Sequence, residues 1–488
     1  MSLKQKGVLL HFSSLPGDFG IGDLGPEAIS FAQFLNDQGY TIWQTLPLNH
    51  RGYGNSPYNP ISAFALDPLL ISPELLYEKG LVDAADLEEA TIPATGRVFF
   101  EHVFRNKCKL LETAANRYLK SHNIDAFISQ NEAWLKPYLT FLSLDRLYDE
   151  IHWSQWQSQH LRYIPELWQS QLRDFEPFIL SQAAIQAILR EQLAELKHQL
   201  KELNIELWGD LPIYLSYHSA DVWANPHLFA LDDAGNRLQV AGVPPDAFSE
   251  EGQLWGNPIY LWQEREAEVF ELITARIRDV LSYADRIRLD HFIGYVNYWS
   301  IPCELGCDGI PILPQDAKAG EWIKAPANKL FETITQEFGN KPFIAEDLGI
   351  LTDEVCEIRD KFTFPGMIVL QFCWQDGKPE VEAYPTDRII YTGTHDNLTT
   401  RQWFEELDPA SLEYQNFTAY VNSRPHLISD PDDGVNPTNA AEAMINIALK
   451  SGCDICIFPM QDLLNLGADA RMNIPGTPLG NWEWRMPE

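Results

Sequence analysis

Asp285-Arg286-Ile287-Arg288-Leu289-Asp290-His291-Phe292 is a short apolar core set in charge. Arg288 precedes Asp290 by two residues, so strand alternation would put both side chains on one face. A guanidinium at that distance keeps a carboxylate ionised and oriented. Two other stretches end in acids in the same way: Phe343-Ile344-Ala345-Glu346-Asp347-Leu348-Gly349, and Arg388-Ile389-Ile390-Tyr391-Thr392-Gly393-Thr394-His395-Asp396-Asn397. Two carboxylates flanking a bond, one ionised and one protonated, are the minimal equipment for glycoside cleavage. The protonated member needs a raised pKa, which an apolar wall or a neighbouring carboxylate supplies. Alone, the Arg288–Asp290 stretch reads equally well as a buried ion pair with no chemical role, and acids often stand at strand ends.

Three acids far apart in the chain can share one pocket if a fold gathers strand ends on one face, as a β/α barrel does. Eight strand candidates fit that requirement, at 7–12, 41–48, 206–214, 285–292, 343–348, 366–372, 388–396 and 453–460. Between the first two, Ile29, Phe31, Phe34 and Leu35 give helical spacing that Gly39 stops, the mark of a parallel strand–helix–strand unit. The expectation is an α/β fold, a (β/α)8 TIM barrel with mainly helical insertions between barrel strands. A doubly wound sheet is the rival, but no Gly-rich phosphate fingerprint follows an early strand. Residues 1–488 are expected to form a single catalytic barrel domain, interrupted by a mainly helical insertion at 68–200 and a smaller one at 293–341. Ile185, Ile188, Leu189, Leu193, Leu196, Leu200 and Leu203 mark the last helix of the larger insertion. Residues 49–68 and 219–257 are rich in Gly, Pro and aromatics and read as long functional loops.

The formal net charge of −33 argues against nucleic acid or an anionic membrane as a partner and suits a neutral or cationic ligand. Fifteen Trp and eighteen Tyr could supply faces for sugar rings, although most must be core. Seven scattered Cys suggest a reducing compartment. Cys453-x-x-Cys456 lies in an apolar run with no second pair or suitably spaced His, so no metal site is expected. The polar stretch Met1 to Lys6 runs straight into a strand candidate, so no signal peptide is expected, and no apolar run approaches membrane-spanning length. A cytoplasmic protein is expected, or a plastid one if a transit peptide has been removed.

The ordered motifs Ser56-Pro57-Tyr58, Gly209-Asp210-Leu211-Pro212-Ile213, Gly242-Val243-Pro244-Pro245-Asp246, Trp255-Gly256-Asn257-Pro258, Arg288-x-Asp290-His291-Phe292, Ala345-Glu346-Asp347-Leu348-Gly349, Gly393-Thr394-His395-Asp396-Asn397 and Arg471-Met472-Asn473 run through nearly the whole chain. In these the sequence resembles the 4-alpha-glucanotransferases (amylomaltases or disproportionating enzymes) of glycoside hydrolase family 77, in the alpha-amylase clan. The resemblance implies that Asp290 is the nucleophile, Glu346 the general acid and base, and Asp396 a holder of sugar hydroxyls near the transition state. It implies substrate binding by Tyr58, Asp210, Gln253, Trp255, Arg288, His291, His395 and Asn473. No cofactor or metal is implied. The partners implied are maltooligosaccharides, amylose and starch- or glycogen-derived glucans, handled by a monomer or small homo-oligomer.

The three carboxylates do not decide between a sugar hydroxyl and water as the second attacker. An alpha-amylase-like hydrolase therefore stays open on the residues alone, and transfer rests on the resemblance, with 49–60 and 242–257 as candidate shields. A non-catalytic glucan-binding protein would have been supported by loss of Asp290, Glu346 or Asp396, and all three are present.

Overall fold

The computed structural model describes residues 4–487 except 94, 246–249, 308, 350, 433 and 478. Eight parallel strands close into a barrel: β1 (Gln5–Leu9), β2 (Ile42–Gln44), β3 (Glu206–Leu211), β4 (Arg286–Leu289), β5 (Phe343–Ala345), β6 (Gly366–Val369), β7 (Arg388–Tyr391) and β8 (Ile455–Pro459). Each pairs with its neighbours in chain order, and β1 closes the ring against β8. These are the eight apolar stretches expected from the sequence. They are apolar because both faces are covered, one by the filled barrel interior and the other by helices. Strand packing is tight at Gly7: a Cβ there would lie 2.3 Å from Ile457 Cδ1 and 2.8 Å from Ile42 Cβ.

The strands are shorter than the apolar stretches suggest. β4 stops at Leu289, so Asp290 and His291 lie on the turn beyond it, with His291 left-handed at φ 50°. One further ladder bond, Asp290 N–H to Leu211 O at 3.1 Å, carries the backbone just past the strand. β6 gives way to a 3-10 turn at Leu370–Cys373, and β7 ends at Tyr391, five residues before Asp396. The acids therefore stand on loops at the carboxyl ends of the strands, where their side chains can face a cleft.

Between β2 and β3 the chain forms helices Pro73–Glu78, Ala84–Ala90, Phe100–Ser121, Asp125–Gln130, Glu132–Leu147 and Pro165–Glu202. The last breaks from helical geometry at Phe175 (φ −127°), two residues before Pro177, because proline removes a backbone donor and crowds the preceding turn.

The stretch 219–257 is not the continuous loop expected. Gln239–Val243 and Gln253–Pro258 are antiparallel strands, and they join Asn297–Pro302 and Glu321–Lys324 in a four-stranded sheet. Glycine and proline obscure this pairing in the sequence. Gly242 is required by the close approach of the two strands, since a Cβ would lie 2.3 Å from Gln253 O. Part of the expected shield at 242–257 is thus sheet. Asp246, which ends one of the motifs, lies outside the described residues.

Candidate active site

Arg288 is the buried centre of the site. It lies on β4, and its Nη1 donates to Asp210 Oδ1 (2.9 Å) and Oδ2 (2.7 Å), on β3. The same nitrogen pairs with Asp290 Oδ1 at 2.9 Å, and Nη2 lies 4.0 Å from Glu346 Oε2. Two-residue alternation thus does put Arg288 and Asp290 together. Burial disfavours the Arg288 cation, but Asp210 and Asp290 outweigh that and hold the guanidinium firmly protonated. For Asp210, burial pushes the carboxyl up and Arg288 opposes it.

Glu346 follows β5 directly. Oε2 accepts from His291 N–H (2.7 Å) and Oε1 from Leu348 N–H (3.2 Å), which fix the carboxyl's orientation. Burial drives its pKa up; Arg288 opposes the shift and Asp290 adds to it, leaving it at about 8. Two carboxyls beside one guanidinium are thereby set apart. Asp290 is ion-paired with it at 2.9 Å, whereas Glu346 stands further off and keeps its proton at neutral pH.

Asp396 sits across the site on the loop after β7. Asn473 Nδ2 donates to Oδ1 at 2.6 Å, and His395 Nε2 lies 3.3 Å from Oδ2. Partial desolvation in the cleft raises this carboxyl, but His395, Asn473 and Arg288 together outweigh it and hold it well below the usual carboxylate range. Its side chain is 44% exposed, so an ionised oxygen is open to the cleft. Tyr58 links the two halves. Its hydroxyl donates to Asp210 Oδ2 at 2.7 Å, and its ring stacks on His395 with centroids 5.1 Å apart.

The loop side is closed by Gln253, Trp255 and His291. Trp255 Nε1 donates to Gln253 Oε1 at 3.2 Å, and the indole meets the His291 ring edge-on at 4.8 Å. Burial lowers His291 to a pKa of about 4, so the ring is neutral, and its buried Nε2 has no protein partner. The half-exposed indole of Trp255 offers a face to a sugar ring.

All eleven residues singled out from the sequence are thus joined by direct contacts, from Gln253 and Trp255 through His291, Glu346, Arg288, Asp290, Asp210 and Tyr58 to His395, Asp396 and Asn473. Two further neighbours are not among the residues singled out. Trp482 packs against Tyr58 (5.7 Å) and His395 (5.9 Å). Arg471 Nη2 donates to Asp396 O at 3.0 Å and its Nε to Asn473 O at 2.8 Å. Arg471 opens the Arg471-Met472-Asn473 motif, the signal that could have found it; Trp482 stands in none of the motifs above.

The raised pKa of Glu346, about 8, gives a signed prediction for a carboxyl in the role of proton donor. In the free protein kcat/KM is expected to fall as pH rises through about 8, because the proton-bearing fraction of Glu346 falls. A pH profile of initial rates checks this, and an alkaline limb below pH 6 would contradict it.

The glycoside hydrolase family 77 sequence profile, described as 4-alpha-glucanotransferase, matches residues 10–488. A curated 4-alpha-glucanotransferase of Aquifex aeolicus is 38% identical over 490 residues, covering 100% of this chain and 96% of that protein. The chloroplastic/amyloplastic 4-alpha-glucanotransferase of Solanum tuberosum is 37% identical over 502 residues, covering 99% of this chain and 82% of that one. Among solved structures, the amylomaltase of Streptococcus agalactiae in complex with acarbose superposes with a TM-score of 0.90 at 32% identity, covering 99% of this chain and 95% of its own.

Proposed function

We propose roles for these residues from the premise that the matches supply: the chain belongs to the 4-alpha-glucanotransferases of glycoside hydrolase family 77, enzymes that transfer glucan segments. Asp290 is the nucleophile. Its carboxylate attacks the anomeric carbon as Glu346 gives its proton to the departing glycosidic oxygen, leaving a covalent glycosyl-enzyme and a shortened glucan. Glu346, now ionised, takes the proton of the acceptor's 4-hydroxyl. That oxygen attacks the same carbon and frees Asp290. Two displacements at one carbon retain configuration. The observation that carries this reading is the unequal placement of the two carboxyls at Arg288: Asp290 pairs with the guanidinium at 2.9 Å, while Glu346 stands 4.0 Å off and burial drives its pKa up.

Asp396, with His395 and Asn473, binds hydroxyls of the distorted ring and offers negative charge to the oxocarbenium-like transition state. Asp210 fixes Arg288, and Tyr58 closes the same subsite. Gln253, Trp255 and His291 hold the glucan from the loop side, and with the 49–60 loop they favour a bound sugar over water as the second attacker. The donors and acceptors are maltooligosaccharides, amylose and starch- or glycogen-derived glucans. The working unit is one barrel, with 68–200 and 293–341 as insertions, acting as a monomer or small homo-oligomer in the cytoplasm or a plastid. Among the described residues no helix is long and apolar enough to cross a membrane.

Incubation with maltotriose tests the balance of transfer over hydrolysis. Free glucose and oligomers longer than maltotriose are expected to appear together with little gain in reducing ends. Rising reducing ends without longer products would contradict the shielding assigned to the loops.

A further inference from the structure

Tyr58 stands on the loop after β2, and much of what holds the base of that loop comes from the helices inserted after it. Leu66 N–H donates to Gln186 Oε1 at 2.9 Å, and Gln186 Nε2 donates back to Leu66 O at 2.8 Å. Six residues further along both segments, Gln192 pairs with Ser72 in the same way, at 2.9 and 3.2 Å. Both glutamines lie on helix Pro165–Glu202 and are fully buried. A primary amide presents one donor and one acceptor side by side, so it can satisfy both backbone groups of one residue as a neighbouring strand would. Arg190, between the two, donates from Nη2 to Phe64 O at 2.6 Å.

The base of the loop runs from Leu66 to the barrel by short steps. Asp67 N–H donates to Leu48 O (2.9 Å), His50 N–H to Ala65 O (2.8 Å) and Ile61 N–H to His50 O (2.8 Å). Arg51 Nε pairs with Asp67 across the base, both side chains buried. Beyond this base the loop presents Tyr58, whose hydroxyl reaches Asp210.

We infer that Gln186 is a positioning residue for the reaction: its two-bond pairing with Leu66 sets the loop that places Tyr58 on Asp210. The inference rests on the role given to Tyr58 above. Gln192 fixes the chain at Ser72, further from Tyr58, and is structural only.

The test compares Gln186→Leu, Tyr58→Phe, the double variant and Gln192→Leu by thermal midpoint and by maltotriose disproportionation kinetics. Gln186→Leu is expected to lower kcat/KM by roughly 10- to 100-fold, as displaced positioning groups do. The double variant should lose no more than the worse of its two parents, because Gln186 acts through Tyr58. Gln192→Leu should lower the thermal midpoint comparably while holding kcat/KM within about twofold of the parent protein. Additive losses in the double variant, or an equal kinetic loss in Gln192→Leu, would overturn the inference and leave the role of Tyr58 standing. Unchanged kinetics in Tyr58→Phe would overturn both. If Gln186→Leu does not fold, Gln186→Asn draws the amide back by one methylene and carries the same comparison.

Discussion

Glu346→Gln is expected to lower kcat/KM for maltotriose by roughly 10²- to 10⁴-fold, the span that general acid catalysis supplies. Glutamine keeps the size of the side chain and an oxygen that can accept from His291 N–H or Leu348 N–H, so the loss would be of the proton rather than of the fold. A donor whose leaving group needs no proton separates the two. With α-maltosyl fluoride the first half-reaction should recover to within about tenfold of the parent protein, because fluoride departs as the anion. Failure of the fluoride donor to restore that step would mean that Glu346 does something other than protonate. The same variant has a stability consequence. The folded pKa of about 8 lies above the ordinary carboxyl value, so the native state binds the extra proton. Stability from this group is full below the ordinary value and is lost as pH rises through about 8. Glu346→Gln removes that dependence, and its thermal midpoint at pH 8 should exceed that of the parent protein, the usual cost of a site shaped for chemistry. A midpoint equal to or below the parent's at pH 8 would contradict the raised pKa.

Asp290→Asn should be the more severe change. Loss of a nucleophile removes the covalent route altogether, on the order of 10⁴- to 10⁶-fold in turnover. The fluoride donor cannot rescue it, because the missing group is the attacker and not the acid. The fold should hold, since Arg288 keeps its paired contact with Asp210 at 2.9 and 2.7 Å. Single-turnover rates with both donors check this. A variant that turned over the fluoride donor within tenfold of the parent would remove Asp290 from the reaction.

The barrel was legible because its strands are buried on both faces and therefore apolar throughout, so Gly366-Met367-Ile368-Val369 and Ile455-Cys456-Ile457-Phe458 stand out against polar connections. The carboxylates were legible because each follows such a run within a few residues. Arg288 and Asp290 announced their pairing through two-residue spacing, and the 2.9 Å contact follows from it. What stayed hidden depends on contacts between distant segments. The antiparallel sheet pairs Gly242 with Trp299, and glycine shows no strand preference of its own. Trp482 looks like any buried indole until the end of the chain folds back against Tyr58 and His395. Gln186 reads as a polar residue on a helix whose apolar neighbours define its core face. Only the fold shows that its amide is buried against Leu66. The charge state of Glu346 was equally out of reach, because it arises from burial and from the geometry of Arg288 and Asp290 rather than from any neighbour in sequence.

The central claim is that a glycosyl group passes through a covalent bond to Asp290. Peptide mapping by mass spectrometry after reaction of the Glu346→Gln variant with α-maltosyl fluoride, quenched in acid, tests it most directly. The account predicts one maltosyl unit per chain, on the peptide containing Asp290 and at that residue. A label on Asp396 or Asp210, or release of one equivalent of fluoride with no labelled peptide, would contradict it.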